Sequence, residues 1–229
     1  NDLSVDSRAA TNGVITLGGD ISTDANVADT GDVTLAGDVR MAASRTIDTE
    51  QGNDAAGGSV TLTNATVSAT AAGADLTINT ATTLAASTGG AVSLGTFNNA
   101  GGSYINDLSI DTSAATAGVV TLNNSISLDN NAADTGDFTV TGGGDIVAAV
   151  TLTIDTEQGN DGNGGSVNLG TSSLSASAVG VDVTINTATT LAAATGGAVT
   201  LNTVGNAGGQ YINDLSVDSR AATNGVITL

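Results

Sequence analysis

NDLSVDSRAATNGVITL, residues 1–17, returns without a change as residues 213–229. A looser copy, NDLSIDTSAATAGVVTL, occupies 106–122 and differs at five of the seventeen positions. The chain is therefore two long repeats of one plan, 1–105 and 106–212, followed by the start of a third, 213–229. A fixed long period is the signature of an architecture in which each unit packs only on its neighbours. The expected organisation is one continuous solenoid with no true domain boundary.

Within the opening stretch, Asp2-Leu3-Ser4-Val5-Asp6 alternates polar and apolar residues as a half-buried strand does. Asn12-Gly13, like Asn224-Gly225, is a turn signal, and it leads to Val14-Ile15-Thr16-Leu17 with Ile15 and Leu17 facing inward. The same two strokes recur down the chain as apolar-x-Ile-Asp/Asn-Thr, a polar connection often ending Gly-Gly, and then Val-x-Leu. Examples are Thr46-Ile47-Asp48-Thr49 with Val60-Thr61-Leu62, and Leu76-Thr77-Ile78-Asn79-Thr80 with Val92-Ser93-Leu94. Pairs such as Ala9-Ala10 and Ala85-Ala86 let a coil turn corners without bulk.

First strokes begin near residues 3, 45, 76, 108, 152, 183 and 215, at spacings of 42, 31, 32, 44, 31 and 32. This is a period of roughly 31 residues with one longer interval in every three. The longer interval carries residues 24–32 or 129–137, both ending Ala-Asp-Thr-Gly-Asp, and an extra strand at Val33 or Phe138. Helix is poorly supported, since Ala is mixed with Gly, Thr, Ser, Asn and Val and no 3.6-residue period of large apolar residues appears. The expected fold is all-β: a parallel β-solenoid of stacked coils, about three coils per ~105-residue repeat, advancing ~15 Å per repeat. Thr16, Thr61, Ser93, Thr121, Asn168 and Thr200 share one outward position, which predicts a polar ladder. A tandem array of Ig-like sandwiches is the rival; it requires antiparallel strands and a linker in each repeat.

Composition narrows the function. There is no Cys, His, Pro, Trp or Lys; the bases are Arg8, Arg40, Arg45 and Arg220, against 21 Asp and two Glu. A net charge of -19 argues against nucleic-acid and anionic-membrane partners, which need a basic surface. Without His or Cys the usual nucleophile–base pairs and zinc ligands are missing, and every acidic motif has a copy, whereas a catalytic site breaks symmetry. No catalytic residue is assigned, and the expected class is not an enzyme. Only four aromatics, Phe97, Tyr104, Phe138 and Tyr211, predict a narrow interior.

Calcium is the one candidate cofactor. The string between Asp48 and Asp54, Asp-Thr-Glu-Gln-Gly-Asn-Asp, recurs unchanged between Asp155 and Asp161; Asp29-Thr30-Gly31-Asp32 recurs between Asp134 and Asp137. Hard oxygen donors near a Gly turn suit Ca²⁺. The EF-hand spacing is absent, and the alternative is a solvated turn in which Asp and Asn cap their own backbone. No residue is assigned as a metal ligand on sequence alone. Arg8 and Arg220 are expected to pair with nearby Asp on the surface.

Strings such as DLTINTATTLAASTGGAVSLG (75–95) and LTIDTEQGNDGNGGSVNLG (152–170) resemble the strand repeats of very large bacterial surface and secreted proteins. These are the filamentous-haemagglutinin-like adhesins and autotransporter passenger regions. The resemblance implies a right-handed parallel β-helix, export to the cell surface or medium, and a role in adhesion, matrix or filament building. The expected function is a structural segment of a long extracellular fibre that self-associates end to end or laterally. The alternative is an adhesin stalk or a module binding calcium or matrix glycans. No apolar run is long enough to insert in a membrane.

Overall fold

A computed structural model describes residues 2–8, 13–26 and 29–229. Asn12 and the Ala9-Ala10 pair lie outside the described residues. Within them there is no helix, and every pairing between named strands is parallel. That removes the sandwich array. The chain winds as a solenoid of about seven turns that lays eight strand segments on each of three faces.

Face one carries Leu3–Asp6, residues 33–36, Val60–Thr61, Val92–Leu94, Val120–Leu122, Asp145–Ala148, Ser173–Ala176 and Thr203–Val204. Face two carries Val14–Leu17, residues 37–41, Ala65–Ala69, Thr96–Phe97, Ile126–Ser127, Leu152–Asp155, Val183–Asn186 and Leu215–Asp218. Face three carries Ile21–Ser22, Arg45–Asp48, Leu76–Asn79, Leu108–Asp111, Phe138–Thr141, Val167–Asn168, Val199–Thr200 and Ile227–Thr228. Faces one and two merge in the second coil because Val33–Met41 is a single strand bent at Gly37, whose φ of 117° only glycine adopts easily.

Stacking is like on like. On face three Ile47, Ile78 and Ile110 lie in register, followed by Val140, and all four are buried. Leu76, Leu108, Phe138, Val167 and Val199 form a second buried row beside them. Face one repeats this with Val33, Val60, Val92, Val120 and Ile146. Each such side chain contributes roughly 1.5–3 kcal/mol by leaving water. The two buried aromatics, Phe97 and Phe138, enter single coils on different faces, so the interior stays filled by branched aliphatics.

The strand count alters the reading of the repeat. The 42-residue interval from Leu3 to Arg45 is not one long coil; it holds five strand steps, from face one to face three of the next coil. Leu3 stands on face one, its copy Leu108 on face three and its copy Leu215 on face two. Eleven strand segments separate successive copies, so one repeat is three and two-thirds coils of about 29 residues. Each repeat is thus displaced by one face relative to the last, and advances ~18 Å rather than ~15 Å.

This overturns the single polar ladder. Thr61, Ser93 and Thr121 do stack on face one. Thr16 lies on face two beside Arg40, and Asn168 and Thr200 lie on face three. Two-thirds of a coil per repeat carries the shared position around the axis, and no side-chain hydrogen bond joins Thr61, Ser93 and Thr121.

Candidate functional site

The corners, not the faces, hold the polar chemistry. Where face three turns into face one, Gly31, Gly58, Gly90, Gly118 and Gly144 rise in one column. A Cβ on Gly90 would sit 1.9 Å from the Gly58 carbonyl oxygen, and one on Gly118 2.0 Å from that of Gly90. Only glycine lets the backbones of successive coils approach this closely. A buried threonine spans two of these turns: the Oγ1 atoms of Thr49 and Thr80 donate to the carbonyls of Gly58 (2.6 Å) and Gly90 (2.8 Å). The second repeat rebuilds the column one face earlier, where face two turns into face three. There Gly136, Gly165, Gly197 and Gly225 stack, and Thr156 and Thr187 donate to Gly165 (2.7 Å) and Gly197 (2.8 Å).

The two acidic motifs singled out in the sequence meet at these corners. Residues 24–26 and 29–32 in the first coil lie against residues 49–58 in the second, joined by the Gln51 amide donating to the Asp24 carbonyl at 3.0 Å. In the second repeat Gln158 N–H donates to the Asp129 carbonyl, also at 3.0 Å. Asp29 and Asp134 each accept from the following Thr amide, at 3.0 and 3.1 Å. Asp32 and Asp137 reach to the next coil, accepting the amides of Ser59 and Ser166 at 2.6 Å. These four therefore act as backbone caps.

Asp24 and Asp129, which open the stretches of the longer interval but lie outside the candidate calcium turns read from the sequence, are the acids brought to the recurring string. Their side chains are 5 % and 2 % exposed, and Glu50 and Glu157 are each 1 % exposed. In each pair one oxygen of the aspartate and one of the glutamate is satisfied: Asn26 and Asn131 amides donate to Asp24 and Asp129, and Asp54 and Asp161 amides to Glu50 and Glu157. The other oxygens, Oδ2 of Asp24 and Asp129 and Oε2 of Glu50 and Glu157, are buried with no hydrogen-bond partner. Burial pushes the Asp129 carboxyl up to about 6 and that of Glu157 up to about 7, and each feels the other pair member or Asp161 as a repelling charge. The signal in the sequence was the spacing: Asp24 precedes Glu50, and Asp129 precedes Glu157, by close to one coil.

A second acidic line runs up face three. Asp75 Oδ1 accepts the Asp107 amide at 3.2 Å, and Asp107 Oδ1 accepts the Asp137 amide at 2.8 Å. Asn106 Nδ2 also donates to Asp75, as Asn213 Nδ2 does to Asp182. Burial, reinforced by the neighbouring Asp137 and Asp75 charges, lifts the Asp107 carboxyl to about 6.

The arginines are engaged elsewhere. Arg8 and Arg220 pair with Asp6 and Asp218, two residues back, at 2.7 and 2.6 Å, and Arg40 pairs with Asp38. Arg45 donates to the carbonyls of Leu17 and Gly18. Among the described residues no three acidic side chains converge on one point as a metal cage would. No protein-family model, no curated protein and no solved structure matches the chain.

Proposed function

We propose that this chain is a structural segment of a long extracellular bacterial fibre or surface filament, built by continuous coil stacking and without catalytic activity. The observation that carries this reading is the unbroken hydrogen bonding across both repeat junctions. Leu108–Asp111 pairs with Leu76–Asn79 below and Phe138–Thr141 above, and Leu215–Asp218 pairs with Val183–Asn186. A repeat that closes on two-thirds of a coil has no face on which to stop, so its copies are held together by the same parallel pairing that holds each one together.

Electron microscopy of the purified chain at rising concentration tests the association, with surface immunolabelling of the producing cells for its location. Unbranched filaments one solenoid wide, together with long labelled threads on cells, are the expected result. A monodisperse monomer at all concentrations, with label confined to the cell interior, would remove the reading.

A further inference from the structure

We infer that Asp129 with Glu157, and Asp24 with Glu50, form two inter-coil sites for a hard divalent cation, calcium being the ion their ligands suit. Each pair buries two carboxylate oxygens that no protein donor reaches. A buried carboxylate without a partner is costly, and it is retained when a proton or a cation takes the open position. No arginine supplies that charge, because the side chains of all four are engaged elsewhere. The same arrangement occurs twice, on two different corners.

The open atoms of the second pair are oxygens. A Cβ on Gly162 would lie 3.3 Å from both Glu157 Oε2 and the Asp134 carbonyl oxygen, so these two atoms face the same small gap between coils. An ion held there would draw on carboxylates from adjacent coils, a backbone carbonyl and water, a mixed and flexible oxygen set. Calcium accepts such a set, whereas magnesium demands near-ideal octahedral geometry. The ion would tie the coil bearing Asp129 to the one bearing Glu157, and the coil bearing Asp24 to the one bearing Glu50. This inference does not depend on the fibre reading, since it concerns contacts within one chain.

Calorimetric titration of the 229-residue chain with CaCl₂ near neutral pH tests it. Two saturable sites per chain are expected, reduced to one in Glu157→Gln and to none in the Glu50→Gln/Glu157→Gln double variant. The melting midpoint of the unmodified chain should rise by several degrees with CaCl₂ and return with chelator. Asp145→Asn, which removes an acid outside both pairs, should keep both sites. Three results would overturn the inference: no saturable binding at millimolar CaCl₂, the same midpoint shift from NaCl at matched ionic strength, or two intact sites in the double variant. Glutamine variants that melt above the unmodified chain, with calcium moving neither, would show that each pair holds a proton instead. Should a variant fail to fold, the titration of the unmodified chain decides alone.

Discussion

Two corners of this molecule carry one chemistry at different heights. In the first repeat the glycine column, the spanning threonines and the buried Asp–Glu pair stand where face three turns into face one. In the second they stand where face two turns into face three. The cause is arithmetic. Eleven strand segments do not divide into coils of three, so each copy is displaced by one face. A coil needs a glycine and a threonine at one corner for a few turns only, after which the next repeat transfers that duty to another corner. A fibre built this way would show each corner the same chemistry only once in three repeats, about every 53 Å.

If the corners are equivalent, damage to either should cost the same. The largest effect belongs to Gly90→Ala and Gly197→Ala. Their new Cβ atoms would each meet a backbone oxygen at 1.9 Å, that of Gly58 and of Gly165. Backbone cannot yield as a side chain would, so each should lose at least about 3–5 kcal/mol in denaturant unfolding. Gly19→Ala, where nothing lies within 4 Å, should be close to neutral. A large loss at one corner and none at the other would break the equivalence.

Thr80→Val and Thr187→Val come next. Each keeps the shape of the side chain but removes the 2.8 Å hydrogen bond to Gly90 or Gly197 and leaves that buried carbonyl without it. A loss of about 1–3 kcal/mol is expected at each, measured the same way.

The smallest effect is the pH dependence, and it sharpens the difference between buried and exposed acids. Asp107 and Asp129 titrate near 6 and Glu157 near 7 in the folded chain, all above ordinary carboxylate values. Between about pH 4 and 7 the folded state therefore holds more protons than the unfolded one, and stability falls as pH rises. Asp6 and Asp218, held low by Arg8 and Arg220, change charge below this window. In chelator the melting midpoint should be higher at pH 5 than at pH 8, and Asp107→Asn should reduce the difference. A midpoint that rises from pH 5 to pH 8 would contradict the assignment.

Much of this fold can be read from the Val-x-Leu and Leu-x-Ile strokes, because a stacked coil repeats its inward residues and those residues are large. The third strand of each coil is hidden by its composition. Ile21–Ser22, Thr96–Phe97 and Ile126–Ser127 are two residues long, and Ala65–Ala69 and Ser173–Ala176 pack small side chains. Missing them turns one and two-thirds coils into a single long one. The acidic strings are equally visible, but their partners are not. Asp24 and Glu50 are joined by coil stacking, which local spacing does not display until the number of residues per coil is known. Ala86 and Ala193 show a further limit: both adopt left-handed backbone, φ 64° and 68°, at equivalent corners, where the sequence offers only a small residue.

Each repeat is displaced by one face relative to the last, and the neighbour of Thr16 reports that displacement. In the structure Thr16 pairs with Arg40 on face two, while Thr61 lies on face one. If the first interval were a single long coil, Thr16 would instead stack on Thr61. In-register neighbours on adjacent coils are close enough for a disulfide. Oxidation of a Thr16→Cys/Arg40→Cys variant should cross-link the chain internally, and a Thr16→Cys/Thr61→Cys variant should stay reduced under the same conditions. The reverse pattern, with 16 linked to 61 and not to 40, would mean that the first interval is a single long coil and the repeats are not displaced.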